Sequence, residues 1–504
     1  MNGRVRLDSS GVLTGLSGLA ALLAVATLLS WALIAGVHAD DTYYVHQVSG
    51  VWLTLAADVE RGVLYPPLYD GHAFGGTRYM PGQILVYAGA REASGDRIIG
   101  VKLVVYALAL LLFGLVFASL RLLDCPVPVA LGLVAVALAS GVGLLATTAV
   151  GGDTLPVVLQ LTALLLVARR NGRGAAAGAG LICALAILTK DSALWAPAAI
   201  VIWLLVRERQ RVLAFTASLA ATLAAGLGAI EAVSHGRFSD NLLSLSGSSF
   251  MGFGAVFLDS PGKLITLAHG HASSLVILFP FVLASFLLAG LERRLTLYHL
   301  SFVFALAILC VVLADPGAYY NHLLDVSVVS VILVGDLWRR TGAEAGLAAF
   351  RVLVFAALIW AIGVGYYTDV KPAAAEAARL LLGRADRDVY AQKPPHGTFQ
   401  PTDRILSEDP YVPLSLGQRP VVLDAFMLLR ISDQHPEWRN ELIKRLDDHE
   451  FDKLVLLHRL DRSTWWRTTH FGLPIVEAMQ RNYVLWRRLS WRDLWIYVPK
   501  HRPA

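Results

Sequence analysis

Residues 11–44 read GVLTGLSGLAALLAVATLLSWALIAGVHADDTYY. From Gly11 to Val37 there is no charged residue, and the run exceeds the roughly 20 helical residues that cross a hydrocarbon core. It is too long for a signal-peptide core and lacks a small-residue cleavage site, so it is expected to stay as a membrane span. Directly after it, His38-Ala39-Asp40-Asp41-Thr42-Tyr43-Tyr44 puts two carboxylates at the membrane boundary. Charge in that position is costly unless it is paired or used.

The rest of the chain repeats the first half of this pattern. Of 504 residues, 56% are hydrophobic and only 16% charged, against about 25% charge in soluble domains; mean hydropathy is +0.57. Further apolar segments lie at 98–120, 127–150, 154–168, 175–189, 193–206, 212–233, 272–291, 295–314, 323–337 and 350–367. The expectation is an α-helical polytopic membrane protein of about eleven spans, the fourth to sixth being short or re-entrant. Arginines fall at alternate ends: Arg4 and Arg6, Arg121, Arg169, Arg170 and Arg173, Arg207, Arg209 and Arg211, Arg293 and Arg294, Arg339 and Arg340. Positive charge collects on the cytoplasmic side, so this alternation predicts a cytoplasmic N-terminus and puts both long polar loops outside, on a cytoplasmic (inner) membrane. The same dispersion argues against nucleic acid as the partner of the +5 net charge, since no basic groove results. Three cysteines in or beside apolar segments suggest no disulfide framework.

Two outer loops and a tail carry the polar sequence. The first loop, 38–97, is long enough to be structured. Within 44–61, Val48, Val51, Trp52, Leu55, Ala56 and Val59 have helical spacing, predicting a helix along the membrane surface. Residues 62–81 read as irregular chain, and a second, Gly- and Ser-rich loop spans 234–271. The expected division is a membrane domain over 1–370 and a small extracytoplasmic α/β domain over 371–504. In the latter, strands are predicted at 404–407, 420–423, 453–457 and 494–498, with helices at 438–449 and 473–481. No internal repeat and no matched transporter halves are visible.

The outer-face carboxylates are the first candidates for chemistry. Asp40 and Asp41 follow the first span, and Asp153, in Gly151-Gly152-Asp153-Thr154-Leu155-Pro156, opens the fourth. On one cleft they could supply a general base, and Asp41 with Asp153 could hold a divalent cation, Mg or Mn; solvated helix ends are the plain alternative. Lys190, in Leu188-Thr189-Lys190-Asp191, breaks the charge alternation, which a phosphate at the outer surface would explain, as would local pairing with Asp191. Arg78, in Gly75-Gly76-Thr77-Arg78-Tyr79-Met80-Pro81, is a second phosphate candidate. Tyr44, Tyr79, Tyr320, Asn321 and His322 are expected to line the cleft. His269-Gly270-His271 reads as surface histidines rather than a metal site, and Trp465-Trp466 as core rather than a sugar platform. No P-loop or serine-nucleophile elbow occurs.

These residues resemble the GT-C glycosyltransferases, multi-span enzymes that take sugar from a polyprenyl phosphate. The likeness is greatest to the branch of the aminoarabinose transferase and the protein O-mannosyltransferases. It rests on Asp40-Asp41-Thr42-Tyr43-Tyr44 after the first span, a long first loop ending in Tyr79-Met80-Pro81, and Asp153 before Leu155-Pro156. A Thr189-Lys190 turn and a terminal outer domain complete it. The family's second acid is Glu where Asp41 stands. The Lys-Pro-Pro element of the aminoarabinose branch is missing from the first loop, where Pro81 alone remains and Arg78 would take over its phosphate contact. Ile405-Leu406-Ser407-Glu408-Asp409-Pro410 is similar to the outer domains of bacterial members and carries no assigned role.

The resemblance implies transfer of a hexose or pentose from a polyprenyl-phosphate donor to a glycan, lipid or protein acceptor, with inversion. Asp40 would be the base, with Lys190, Arg78 or a divalent cation facing the leaving phosphate. Asp41 and Asp153 would orient the acceptor or hold that cation. The other readings are a lipid-linked-sugar flippase and a non-catalytic scaffold of envelope assembly.

Overall fold

The structure, a computed structural model, describes residues 9–95, 97–246, 252–341, 348–461, 466 and 469–500. Arg4, Arg6 and Trp465 lie outside them. Each of the eleven apolar segments forms helix. Six helices are long and apolar enough to cross a membrane: Gly11–Val37, Ile98–Leu122, Arg209–Ser234, Ser273–Leu291, Tyr320–Arg340 and Ala349–Leu381. Val127–Ala139 and Gly141–Thr148 make a seventh if counted together, although they bend by 81°. The bend has a local cause: Ser140 is extended and its Oγ accepts the amide of Gly143 at 3.0 Å, so a second helix starts there.

Four apolar helices are shorter, Thr154–Arg169, Arg173–Thr189, Trp195–Arg207 and Leu297–Leu313. The 16 residues of the first rise about 24 Å, short of the bilayer core. Leu22, Leu29, Leu110, Leu213 and Leu287 are exposed on the long helices, as a lipid-facing surface requires. Inward, Trp195, Phe215, Leu333 and Ile362 join one core. The chain is a multi-pass membrane protein.

The first long loop forms the helix expected there, and its burial goes beyond one apolar face. Its helix Gln47–Glu60 is enclosed, with every residue from Ser49 to Asp58 buried. Its packing partners include both Trp31 and Ile34 of the first span and Tyr411, Val412 and Trp491 of the tail. A second helix, Pro81–Ser94, follows the irregular stretch. The second long loop, Gly- and Ser-rich in sequence, holds helices Arg237–Ser246, Phe253–Leu258 and Ser260–His271, with 247–251 outside the described residues.

The polar tail carries four strands, β1 (Ile405–Ser407), β2 (Lys453–Leu456), β3 (Tyr483–Leu489) and β4 (Leu494–Pro499), in the order β1-β2-β4-β3. β1 and β2 are parallel and the other pairs antiparallel. Helices Ala425–Gln434, Pro436–Asp447 and Leu473–Asn482 accompany them. Residues 420–423 do not join the sheet. Val422 instead bridges Phe74 of the first loop, with the Phe74 amide donating to Val421 O at 2.7 Å and the Leu423 amide to Phe74 O at 2.9 Å. The last apolar helix passes through a π turn, Tyr366–Val370, and continues as Lys371–Leu381, so the chain enters its polar part without a break in helix.

Candidate functional site

Three segments supply the charged groups at the end of the helices where the long loops lie. In the acidic loop the first helix ends at Val37, and Tyr44 adopts φ 56°, a left-handed conformation rare outside glycine. Asp41 is fully engaged. Its Oδ2 lies 2.6 Å from His38 Nδ1, while Oδ1 accepts the Tyr43 amide at 2.8 Å and Lys102 Nζ at 3.4 Å. Lys102, completely buried, also donates to the carbonyls of His38 and Tyr43, both at 2.8 Å. It is the sole charge in the otherwise apolar 98–120 segment, and that anomaly is the signal by which the sequence could have disclosed it. Asp40 is different: it is exposed, and its Oδ1 accepts Gln392 Nε2 from the tail at 2.5 Å. Its Oδ2 has no protein hydrogen bond among the described residues.

The second group gathers four of the expected residues. Asp153 precedes the helix Thr154–Arg169, in a loop that Tyr87 holds by donating its hydroxyl to Gly151 O at 2.6 Å. Gly152 lies flat against the Trp52 indole, where a Cβ would overlap the ring. Lys190, ending Arg173–Thr189, donates to Asp153 Oδ1 at 2.6 Å, and Asn321 Nδ2 reaches both carboxylate oxygens at 3.1 Å. Lys190 Nζ is also 3.3 Å from His322 Nδ1; an ammonium has no lone pair, so this ring nitrogen accepts and Nε2 bears the proton. Burial disfavours the charge on both partners, yet their attraction wins. Asp153 is held below the usual carboxylate range, chiefly by Lys190, and Lys190 above the usual lysine range, chiefly by Asp153 and Asp325. Trp195 Nε1 donates to Asp325 at 2.7 Å.

Arg78 stands beside this group and is ion-paired to Asp315, with its guanidinium 5.7 Å from the Phe426 ring centre. Burial opposes the charge, but Asp315 raises Arg78 above its ordinary value. Lys263 Nζ donates to Asp315 O at 2.8 Å. Tyr79 stacks on Trp52 at 4.3 Å and lies within Coulombic range of Asp153. Tyr320 stacks on His271 at 3.9 Å, and Tyr44 and Tyr320 both lie within Coulombic range of Asp369, a residue not singled out in the sequence.

Asp153, Lys190, Asn321 and His322 thus touch one another. Asp40 and Asp41 belong to a separate group with no direct contact to Asp153. The paired-cation expectation for Asp41 and Asp153 does not fit these residues, because each already holds a lysine, Lys102 and Lys190. Among the described residues no group of three or more His, Cys, Asp or Glu could hold a metal ion. His271 is engaged with the aromatic cluster, and Trp466 is fully buried, its Nε1 donating to Arg459 O at 3.0 Å. His46, also missed, caps Gln47–Glu60 by accepting the Ser49 amide on Nδ1 at 3.4 Å. Protein packed around it, and then the Arg492 guanidinium, push it down to about 4.

A helical membrane unit, a helix-bearing first long loop and a terminal α/β unit are the parts of this fold, and solved membrane proteins share it. Among solved structures the chain is similar to ArnT from Cupriavidus metallidurans bound to undecaprenyl phosphate, with TM-score 0.60 and 13% identity over 95% of this chain and 98% of that one. It is also similar to arabinofuranosyltransferase AftD from Mycobacteria, with TM-score 0.51 and 16% identity over 95% of this chain and 40% of AftD. The oligosaccharyltransferase of Archaeoglobus fulgidus gives TM-score 0.52 and 10% identity over 94% and 72%. At these identities the likeness establishes the fold. No protein-family model matches the chain, and no curated protein matches it.

Proposed function

We propose that this chain is a glycosyltransferase that moves a hexose or pentose from a polyprenyl-phosphate donor to a glycan, lipid or protein acceptor. The reaction takes place on the outer face of the cytoplasmic membrane, with the N-terminus cytoplasmic and the tail outside. The observation that carries this reading is the division among the three expected carboxylates. Asp41 and Asp153 have both oxygens occupied, whereas Asp40 keeps Oδ2 open to solvent and to a substrate hydroxyl. The bound undecaprenyl phosphate of the similarly folded ArnT supports the donor class.

In this reaction Asp40 Oδ2 takes the proton of the acceptor hydroxyl as its oxygen bonds to the anomeric carbon. The bond from that carbon to the phosphate oxygen breaks, and the electron pair leaves with the polyprenyl phosphate. Displacement in one step inverts the anomeric centre. The phosphate charge is met by Lys190 and Arg78, each held ready by a carboxylate, Asp153 and Asp315. No step is routed through a cation.

The test is turnover of purified protein with a panel of labelled polyprenyl-phosphate sugars, following release of free polyprenyl phosphate. Asp40→Asn is expected to lose about 10²- to 10⁴-fold in kcat, and Lys190→Ala to weaken donor binding. Near-native turnover by folded Asp40→Asn would remove the base assignment. Donor moved between leaflets without turnover would favour a flippase.

A further inference from the structure

A cavity of about 530 Å³ lies between the helix Ala425–Gln434, the start of the helix Leu473–Asn482 and the turn at Pro316. Arg430, Ser432 and Asp433 line it from the first helix, Arg439 from Pro436–Asp447, and Gly472 and Leu473 from the third element. The two arginines are half-buried, and the Nε of each is buried without a hydrogen-bond partner. Neither forms an ion pair among the described residues. Ser432 is 1% exposed, and its hydroxyl is likewise unpartnered. Asp433, exposed, is the one acidic side chain of the described lining, which leaves two cations against one anion.

Buried donors without acceptors are rare because each loses its hydration for nothing. The Nε and Oγ atoms are closed off from the cavity, so what the cavity itself presents is two guanidiniums without an ion pair against one carboxylate, a lining short of an anion. The backbone adds to this. Gly472, at φ 84°, turns the chain into Leu473–Asn482, where Pro474 has no amide and Val476 donates to Gly472 O, which leaves the Leu473 and Ile475 amides in the first turn, at the end where anions are favoured. The cavity also adjoins the reaction centre. Arg430 and Arg78 both lie over the Phe426 ring, at 5.4 and 5.7 Å, and Pro316 follows Asp315, the partner of Arg78.

We propose that this cavity binds an anionic group, phosphate or carboxylate, on the acceptor, with the forked guanidiniums of Arg430 and Arg439 as its donors. The acceptor role rests on the transferase reading; the anion site does not. An acceptor anchored here would present its hydroxyl from the outer side, while the donor enters from the bilayer.

The experiment uses the full chain in nanodiscs of neutral lipid, titrated with glucose 1-phosphate, glucuronate and uncharged glucose. The wild type is expected to bind the two anions and not glucose. Arg430→Ala/Arg439→Ala should weaken anion binding at least tenfold, and Arg430→Lys/Arg439→Lys should keep part of it. Lys190→Ala should leave this binding in place, which separates it from the donor phosphate site. Repeating the titration in nanodiscs with phosphatidylglycerol distinguishes the source: competition in the wild type but not in the double alanine variant identifies a lipid headgroup, and no competition a soluble glycan. Unchanged affinity in the folded double alanine variant, or equal binding of glucose, overturns the site. If that variant loses anion binding yet glycosylates acceptors at the wild-type rate, the acceptor role falls. If the wild type binds anions but turns over no donor, the transferase reading falls and the anion site stands.

Discussion

Replacing Lys102 with Met tests whether the acidic loop is held from beneath by a buried cation. Methionine keeps the length and apolar stem of lysine and removes the ammonium. Three hydrogen bonds go with it, to His38 O and Tyr43 O at 2.8 Å and to Asp41 Oδ1 at 3.4 Å. An acceptor stranded in a buried site costs about 1–3 kcal/mol. Two terms soften that. Tyr106 Oη already reaches His38 O at 3.4 Å, and the Asp41 side chain, 20% exposed, can recruit water. The net expectation is about 3 kcal/mol, which corresponds to about 10²-fold more frequent opening of the loop. Hydrogen exchange followed by mass spectrometry reads this directly. The amides of Thr42, Tyr43 and Val45 are all hydrogen-bonded, to Tyr390 O, Asp41 Oδ1 and Thr42 O, and should exchange faster by that factor. Adding Asp41→Asn should recover part of the loss, because removing both partners strands less charge than removing one. Unaltered exchange over 38–45 in Lys102→Met would refute the reasoning.

Three further outcomes follow from other contacts. Gln392→Ala removes the donor to Asp40, a hydrogen bond discounted to about 1 kcal/mol for its exposure, so kcat should fall about fivefold with the donor KM unchanged. Gly50→Ala would place a Cβ 2.8 Å from Asp409 Oδ1 and 2.9 Å from the Tyr411 amide, so it should lower stability by about 1–3 kcal/mol, checked by thermal melting. His46, held near 4 against an ordinary 6.5, stays neutral in the folded chain while the unfolded chain takes up a proton. Its contribution is therefore complete above pH 6.5 and is lost as pH falls toward 4. His46→Asn keeps a capping side chain that does not titrate, and should flatten that part of the melting-temperature decline between pH 6.5 and 4.

The helices were legible because membrane segments advertise themselves locally: apolar runs set by the bilayer need no knowledge of their neighbours. The meeting of Asp153, Lys190, Asn321 and His322 was legible through sidedness, since alternating arginines put all four at the same membrane face. The enclosure of the helix Gln47–Glu60 was not legible, for the opposite reason. Its apolar spacing announces one buried face, but Ser49, Thr54 and Asp58 are buried too, because the turn at Asp409–Tyr411 and the rest of the tail cover the polar side. No local pattern reports a cover that arrives some 350 residues later. β3 was missed because Tyr483–Leu489, with Trp486, Arg487 and Arg488, alternates poorly and is mostly unburied, whereas 420–423 has strand composition but finds only Phe74 as a partner.

Charge pairing links these results. Asp41 meets Lys102, Asp153 meets Lys190, Asp315 meets Arg78, and Asp409 meets Arg492, each acid joined to a cation from another part of the chain. Buried pairs of this kind add little net stability, since desolvation offsets attraction, but breaking one is expensive, so they fix which segments lie together. By that logic a carboxylate with a buried cation is poorly suited to take a substrate proton, because its negative charge is already spent on position. Among the expected carboxylates, the group left out of the pairing is Asp40; among the cavity-lining cations, it is Arg430 and Arg439. Where the fold leaves charge uncompensated, substrate supplies the complement, a hydroxyl proton at Asp40 and an anion at the two arginines; the leaving phosphate instead meets Lys190 and Arg78 beside the carboxylates that position them. Neutralising Asp40 should therefore lower turnover by about 10²- to 10⁴-fold with anion binding intact, and neutralising the arginines should weaken anion binding with donor affinity intact; a variant at either place that lost both would mean the two are one site.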